Sequence, residues 1–124
     1  MTSVLVIDDC PEVRRVMCHL LSSLGYAGSE AADGKQGLKS YQSAPTDIVL
    51  LDIYMPVMDG IETLDQLLRH DPKAKVIAMT GGWNLSKSAV LEPAVLMGAR
   101  KTLHKPITKG MLQTAIEELL AMPT

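Results

Sequence analysis

Residues 4–11 read VLVIDDCP: four apolar residues, three of them β-branched, then two aspartates, a cysteine and a proline. A short continuous apolar run of this composition predicts a strand that is buried on both faces. Pro11 suits the first turn of a helix, because an N–H at that position would have no partner within the helix. The apolar residues that follow recur at helical spacing up to Leu24, and Gly25 predicts the helix end. These residues therefore predict one strand–helix unit.

The same alternation of apolar runs and amphipathic segments continues through the rest of the chain. Apolar runs at residues 48–51 and 76–79 predict two more buried strands, and weaker candidates lie at 26–31 and around Leu103. Helical patterns follow at residues 34–43, 61–68 and 112–120, and residues 83–97 are ambiguous. Asp33 is interpreted as a turn residue or a helix cap. Five βα units predict a parallel sheet with helices on both faces.

Length and composition indicate one domain of ordinary globular character. The chain has 124 residues, below the roughly 150 expected for one domain, and 47% of them are hydrophobic. A net charge of −2 gives no general attraction to nucleic acid or to an anionic membrane. The N-terminus lacks a signal-peptide pattern, and no segment approaches the ~20 apolar residues of a membrane span. We therefore expect a cytoplasmic protein.

The two cysteines and the two basic pairs are predicted to have no special chemical function. Cys10 and Cys18 lie too far apart along one helix to form a disulfide, and we expect reduced, mostly buried thiols. The pairs Arg14-Arg15 and Arg100-Lys101 are interpreted as solvated surface charges. Two short basic pairs do not make a nucleic-acid footprint, so no direct contact with nucleic acid is expected.

Polar residues stand where four of the predicted strands end. Asp8-Asp9 follow the first strand, Asp52 the third, Thr80 the fourth and Lys105 the fifth. Binding sites of open parallel sheets form beyond the carboxyl ends of the strands. Carboxylates that meet there repel one another and raise one another's pKa values, and a divalent cation relieves that repulsion. Oxygen ligands of this kind favour Mg²⁺.

The remaining strand-end residues suit phosphoryl chemistry. An aspartate in such a pocket can act as a nucleophile and carry an acyl phosphate. The Lys105 ammonium could hold a carboxylate or a phosphoryl oxygen, and the Thr80 hydroxyl could donate to a phosphoryl oxygen. Each residue alone has a plainer interpretation: a helix cap for Asp8-Asp9, a strand or turn residue for Thr80, a surface lysine for Lys105. Their joint order favours a site.

In this order and spacing, the residues resemble the receiver domain of two-component response regulators. The matching elements are Asp8-Asp9, the segment DIYMPVMDG at residues 52–60, Thr80, Gly98-Ala99 and Lys105-Pro106. The resemblance covers nearly the whole chain. It implies a flavodoxin-like, doubly wound five-stranded parallel sheet in the order 2-1-3-4-5. It also implies a single receiver domain over residues 1–124.

The resemblance implies roles for the acidic residues. Asp52 would accept a phosphoryl group from a sensor histidine kinase or a histidine phosphotransfer protein. Asp9 and Asp52 would bind Mg²⁺ directly, together with the backbone carbonyl of Tyr54, and Asp8 would act largely through water. Phosphorylation of Asp52 would then require the cation.

The resemblance also implies an output. Thr80 and Lys105 would contact the phosphoryl group and pull the loop after the fourth strand inward, which changes a partner-binding surface. The partner would be an output protein that the sequence does not identify, or an output domain of a larger chain. Neither a membrane nor nucleic acid would be a direct partner.

The chain departs from the family pattern in three places. Receivers usually carry Tyr or Phe three residues before the lysine, and here that position is Thr102; Trp83 is a candidate to take over its function. Gly81-Gly82 follows Thr80, which predicts a mobile loop. Pro93 interrupts the predicted fourth helix, so a regular helix should start or kink there.

Other functions fit the same pattern less well. A Mg²⁺-dependent phosphatase of the haloacid dehalogenase type needs a second aspartate where Tyr54 stands. A nucleotide or flavin binder would need a glycine-rich phosphate loop, which is missing. A phosphorylation-independent scaffold receiver would not need the full set of acidic, threonine and lysine residues. No enzymatic activity is expected beyond self-phosphorylation from small donors and self-dephosphorylation.

Overall fold

The computed structural model describes residues 1–53, 60–80 and 98–122. Strands and helices alternate along these ranges: β1 Ser3–Ile7, α1 Pro11–Ser23, β2 Ala27–Ala31, α2 Gly34–Ser43, β3 Ile48–Asp52, α3 Gly60–His70, β4 Val76–Thr80, β5 Lys101–His104 and α4 Lys109–Ala121. Predictions that concern Tyr54, Gly81-Gly82, Trp83 and Pro93 lie outside the described residues. Of the helices described, none is long and apolar enough to cross a membrane.

The five strands form one parallel sheet in the order β2-β1-β3-β4-β5. The predicted flavodoxin-like fold and strand order are confirmed. After β1 the chain adds β2 on one side of β1, and it then crosses over to add β3 on the other side of β1. The direction in which strands are added therefore reverses between β1 and β3. Ligand sites of doubly wound sheets form at such a reversal, beyond the carboxyl ends of the strands.

Side chains of the central strands alternate between two buried layers. In β1, Leu5 and Ile7 belong to the layer under α2 and α3, while Val4 and Val6 belong to the layer under α1 and α4. The interior residues of β3 and β4 are buried throughout, because helices cover both faces. Strands that are buried on both faces therefore carry Asp52 and Thr80 as their last residues.

Local signals account for the helix boundaries. Pro11 opens α1, and Gly25 adopts a φ of 88° just beyond it, a backbone conformation that favours glycine. The Asp33 side chain caps α2 by accepting from the backbone N–H of Gln36, as one of the two interpretations of Asp33 predicted. Thr108 caps α4 in the same way through Met111.

Both cysteines are free, and each is of intermediate burial. Cys10 is the residue before α1, where it stays partly open to solvent. Cys18 faces the open edge strand β2, where Gly28 has no side chain to cover it. Burial and the charge of Glu30 raise the pKa of the Cys18 thiol, which Arg14 partly opposes.

Tyr41 links α2 to the end of α3. Its ring is buried, and its hydroxyl donates a hydrogen bond of 2.7 Å to Asp71 Oδ2. The hydrogen bond from Tyr41 holds the pKa of Asp71 below its usual value, despite the opposing effect of burial. Burial and the hydrogen bond to Asp71 raise the pKa of Tyr41.

We expect Tyr41→Phe to lower the free energy of unfolding by about 1 kcal/mol at neutral pH, the usual worth of one partly exposed hydrogen bond. Because the folded-state pKa of Asp71 is depressed, its contribution is present above the unfolded-state value of ~3.9 and is lost as the pH falls through the folded-state value. Urea unfolding at pH 7 and near pH 2 measures this difference. Tyr26→Phe is the control, and an equal loss at both pH values would contradict the assignment.

Candidate functional site

The predicted strand-end residues meet at one edge of the sheet. Asp8 directly follows β1, Asp52 and Thr80 are the last residues of β3 and β4, and Lys105 directly follows β5. Backbone bonds tie these ends together: Lys105 N–H donates to Thr80 O at 2.7 Å, and Ile53 N–H donates to Met79 O at 2.9 Å. Asp8, Asp52 and Thr80 are buried. Their arrangement is therefore set by the sheet.

Three carboxylates form the centre of this edge. One oxygen from each of Asp8, Asp9 and Asp52 lies within 4.8 Å of the other two. Asp8 and Asp52 are buried, while Asp9 is exposed. All three donors are hard, anionic oxygens, the set that Mg²⁺ and similar divalent cations take. The chemistry of these three oxygen donors therefore fits Mg²⁺ or a similar divalent cation.

Lys105 lies against the acidic cluster. Its Nζ donates to Asp8 Oδ2 at 2.7 Å and lies 3.6 Å from Asp52 Oδ2. Burial lowers the pKa of Lys105, but the hydrogen bond to Asp8 and the charge of Asp52 outweigh it and leave the pKa above its usual value. Lys105 is therefore a cation at neutral pH. Its ammonium therefore offsets part of the negative charge of the three carboxyl groups.

Asp8 is held from several directions. Its backbone N–H donates to Ala31 O at 3.2 Å, and its Oδ1 accepts from Cys10 N–H at 2.9 Å. Its backbone carbonyl accepts from Arg14 Nη1 at 2.7 Å. The first residue of the acidic pair is thus anchored to β2, to α1 and to β5.

The interpretation of Arg14 as a solvated surface charge was wrong. The Arg14 side chain is 15% exposed, and its Nε pairs with Glu30 Oε1 at 3.1 Å. Lys101 likewise pairs with Glu118 at 3.1 Å. The sequence held a signal for Arg14, because it shares a helical stripe with Cys18 and Leu21, which both face β2.

Gly60 lies against the backbone just after Asp52. Its N–H donates to Ile53 O at 3.1 Å, and a Cβ built on it would overlap Asp52 O and Ile53 Cα. Only glycine fits this close approach. The start of α3 therefore presses directly on the strand end that carries the acidic side chain.

Thr102 occupies the position, three residues before Lys105, at which the family pattern described above has Tyr or Phe. It is half-buried in β5 and lies beside Ala78 of β4 in the sheet register. His104 is two residues further along the same face, beside Thr80. Trp83, the candidate to take over the function of the missing aromatic, lies outside the described residues.

A doubly wound parallel sheet with an acidic cluster and a lysine at its strand-order reversal defines a narrow class of α/β proteins. The chain belongs to the family described as the response regulator receiver domain, whose model matches residues 4–117. It is 35% identical over 121 residues to protein CcdB of Bacillus subtilis, covering 97% of this chain and 98% of that protein. It is 35% identical over 120 residues to the chemotaxis protein CheY of Treponema pallidum, covering 94% and 81%.

A solved structure agrees with the sequence relatives. The CheX–CheY–BeF₃–Mg²⁺ complex from Borrelia burgdorferi contains a chain that matches with a TM-score of 0.88 and 27% identity, over 98% of this chain and 90% of that one. The predicted resemblance to receiver domains is confirmed. Receiver domains are signalling modules of two-component systems and not enzymes in the ordinary sense. The roles of individual site residues and the single-domain extent of 1–124 stay predictions.

Proposed function

We propose that this chain is a phosphorylation-dependent signalling module of a two-component phosphorelay, with Asp52 as phosphoacceptor. One observation carries the proposal: Asp52 ends a central strand with its carboxylate beside those of Asp8 and Asp9, and Lys105 Nζ lies 3.6 Å from it. The donor would be a sensor histidine kinase or a histidine phosphotransfer protein. We expect this exchange to take place in the cytoplasm.

Mg²⁺ is the proposed cofactor, with direct ligands from Asp9 and Asp52 and from the backbone carbonyl of Tyr54. Asp8 would act largely through water, because its two oxygens already accept from Cys10 and Lys105. When bound, Mg²⁺ neutralises charge that develops on the transferred phosphoryl group. The receiver relative whose structure contains BeF₃ and Mg²⁺ supports this cation.

The transfer itself would form one bond and break another. An Asp52 carboxylate oxygen attacks the phosphorus, and the bond from phosphorus to the donor's imidazole nitrogen breaks with its electron pair left on that nitrogen. Lys105 can then hold a phosphoryl oxygen in place of the Asp52 carboxylate. The Thr80 hydroxyl would donate to a second phosphoryl oxygen.

The output follows from the redistribution of these contacts. A phosphoryl group on Asp52 adds negative charge at the end of β3 and competes with Asp8 for Lys105. Thr80 is the last residue of β4, and Lys105 directly follows the neighbouring strand β5. Movement of these two residues toward the phosphoryl group would therefore alter the surface next to the two strands. That surface would bind an output protein or an output domain of a larger chain, without direct contact to nucleic acid or to a membrane.

Intact-mass spectrometry after incubation with acetyl phosphate tests the proposal. We expect one added phosphoryl group on the wild type with Mg²⁺, and none with excess EDTA. Asp52→Asn should abolish the adduct, because the amide is not a nucleophile of comparable strength. Asp65→Asn, an exposed carboxylate on α3 that pairs with Arg69, should leave it unchanged.

Other results would favour other functions. An adduct that persists in Asp52→Asn would contradict the assignment of the phosphoacceptor. Absence of an adduct both from acetyl phosphate and from phosphorylated histidine kinases would favour a phosphorylation-independent scaffold. Sustained release of phosphate over many turnovers would favour the phosphatase alternative.

A further inference from the structure

Asp9 differs from the other two members of the acidic cluster. It is exposed, and its carboxylate makes no hydrogen bond or ion pair with any residue in the described ranges. Asp8, by contrast, is anchored through its N–H, its carbonyl and both carboxylate oxygens. The direction of the Asp9 side chain therefore depends on how the backbone around it is held.

Arg14 holds the peptide plane that leads into Asp9. Its Nη1 donates to the carbonyl oxygen of Asp8 at 2.7 Å. Because a peptide unit is planar, fixing this carbonyl also fixes the backbone nitrogen of Asp9. On the other side of Asp9, Cys10 N–H donates to Asp8 Oδ1 at 2.9 Å. Asp9 thus lies between two anchored peptide planes.

Arg14 is itself held in place on two sides. Its Nε pairs with Glu30 Oε1 of β2 at 3.1 Å, while its backbone N–H donates to Cys10 O at 3.1 Å as the first helical bond of α1. The guanidinium spans the distance from Glu30 to the Asp8 carbonyl with two different nitrogens. A lysine ammonium presents a single nitrogen and lacks this rigid fork.

We propose that Arg14, oriented by Glu30, is a positioning residue that aims the Asp9 carboxylate at the metal site. The inference rests on the proposed function, because it takes the acidic cluster to be the Mg²⁺ site. Residues that orient metal ligands typically change metal affinity by about 10–100-fold when they are replaced. Simple electrostatics predicts the opposite sign, since removing a cation near three carboxylates should strengthen the binding of a dication. The direction of the change therefore separates the two roles.

Calorimetric titration with Mg²⁺ alone tests the inference on the unphosphorylated protein. Arg14→Ala should raise the Mg²⁺ dissociation constant about tenfold. Arg14→Lys and Glu30→Gln should give smaller increases, because each keeps part of the arrangement. Arg15→Ala is the matched control: it removes the same charge from the next, exposed position of α1 and should leave the affinity unchanged.

Hydrogen–deuterium exchange without Mg²⁺ provides a second readout. Arg14→Ala should speed exchange of the Cys10 amide, which donates to Asp8, and Arg15→Ala should not. A purely structural role would lower the unfolding midpoint but leave the Mg²⁺ dissociation constant unchanged at temperatures where the variants are folded. If Arg14→Ala does not fold, Arg14→Lys and Glu30→Gln decide the matter through the same two measurements.

The outcomes distinguish this inference from the proposed function. Unchanged or tighter Mg²⁺ binding in Arg14→Ala, with a wild type that binds Mg²⁺ and forms the adduct, overturns the positioning role alone. A folded wild type that binds no Mg²⁺ overturns the proposed metal site and the positioning role with it. Weaker binding in Arg14→Ala but not in Arg15→Ala supports the inference.

Discussion

Replacing Lys105 by alanine should lower the free energy of unfolding by about 3 kcal/mol in Mg²⁺-free buffer at neutral pH. Asp8 is 0% exposed, and Lys105 supplies its ion pair at 2.7 Å. Breaking a buried pair by removing one partner costs about 3–5 kcal/mol, because an uncompensated charge remains. The lower end applies here, since Cys10 N–H still donates to Asp8.

The contacts of Lys105 with Asp8 and Asp52 also predict how the stability loss of Lys105→Ala depends on pH and on Mg²⁺. The pKa of Lys105 is raised, so its contribution is fully present below the unfolded-state value of ~10.4 and disappears only as the pH rises through the folded-state value. Mg²⁺ should recover part of the loss, because a cation in the acidic cluster replaces the missing charge. Urea unfolding with EDTA and with Mg²⁺ measures the second effect, and repeating the EDTA series from neutral pH to above ~10.4 measures the first.

Lys39→Ala serves as the control for this experiment, because Lys39 is exposed on α2. Its unfolding free energy should match that of the wild type within about 0.5 kcal/mol. A Lys105→Ala variant as stable as Lys39→Ala would show that the ion pair to Asp8 contributes nothing, and would contradict the buried geometry.

Among glycine-to-alanine changes in the described part of the chain, Gly60→Ala should be the most damaging. It should lower the free energy of unfolding by at least about 3 kcal/mol. The added Cβ would overlap Asp52 O and Ile53 Cα, which are backbone atoms of a central strand and its exit. Neither can rotate away as a side chain would. Either α3 must move off the sheet or β3 must bend at its carboxyl end.

Gly110→Ala is the matched change for this prediction. Gly110 lies in α4, and nothing stands within 4 Å of its added Cβ. Alanine is the better helix former, so this variant should be more stable than the wild type by about 0.5 kcal/mol. Thermal unfolding of both variants, followed by circular dichroism, makes the comparison. Equal stability of the two would contradict the close approach at Gly60.

The central strands could be predicted from sequence because burial on both faces leaves an unbroken apolar run. β1, β3 and β4 have this pattern, and each is found within a residue or so of its predicted bounds. β2 has the sequence AGSEA and is mostly exposed, so it carries no such pattern. Its place is set by pairing with β1, for example Val6 beside Glu30, which lies outside local sequence information.

The strand-end residues could be predicted for a related reason. A carboxylate such as Asp52 that ends an apolar run is unusual enough to be noticed from the sequence alone. Arg14 was missed because an Arg-Arg pair on a helix does not reveal which residue faces the sheet. That direction depends on how α1 rotates against β2, and only the shared stripe with Cys18 hints at it.

The pairing of Asp8 with Lys105 joins residues that are 97 positions apart in sequence. Contacts of such high sequence separation form late, because the loop-closure entropy must be met before the contact contributes. The acidic cluster gains its only lysine partner in the described ranges once β5, an edge strand and the last of the five in chain order, has joined the sheet. Chains still emerging from the ribosome, and fragments that end before residue 105, would therefore lack the ion pair between Lys105 and Asp8.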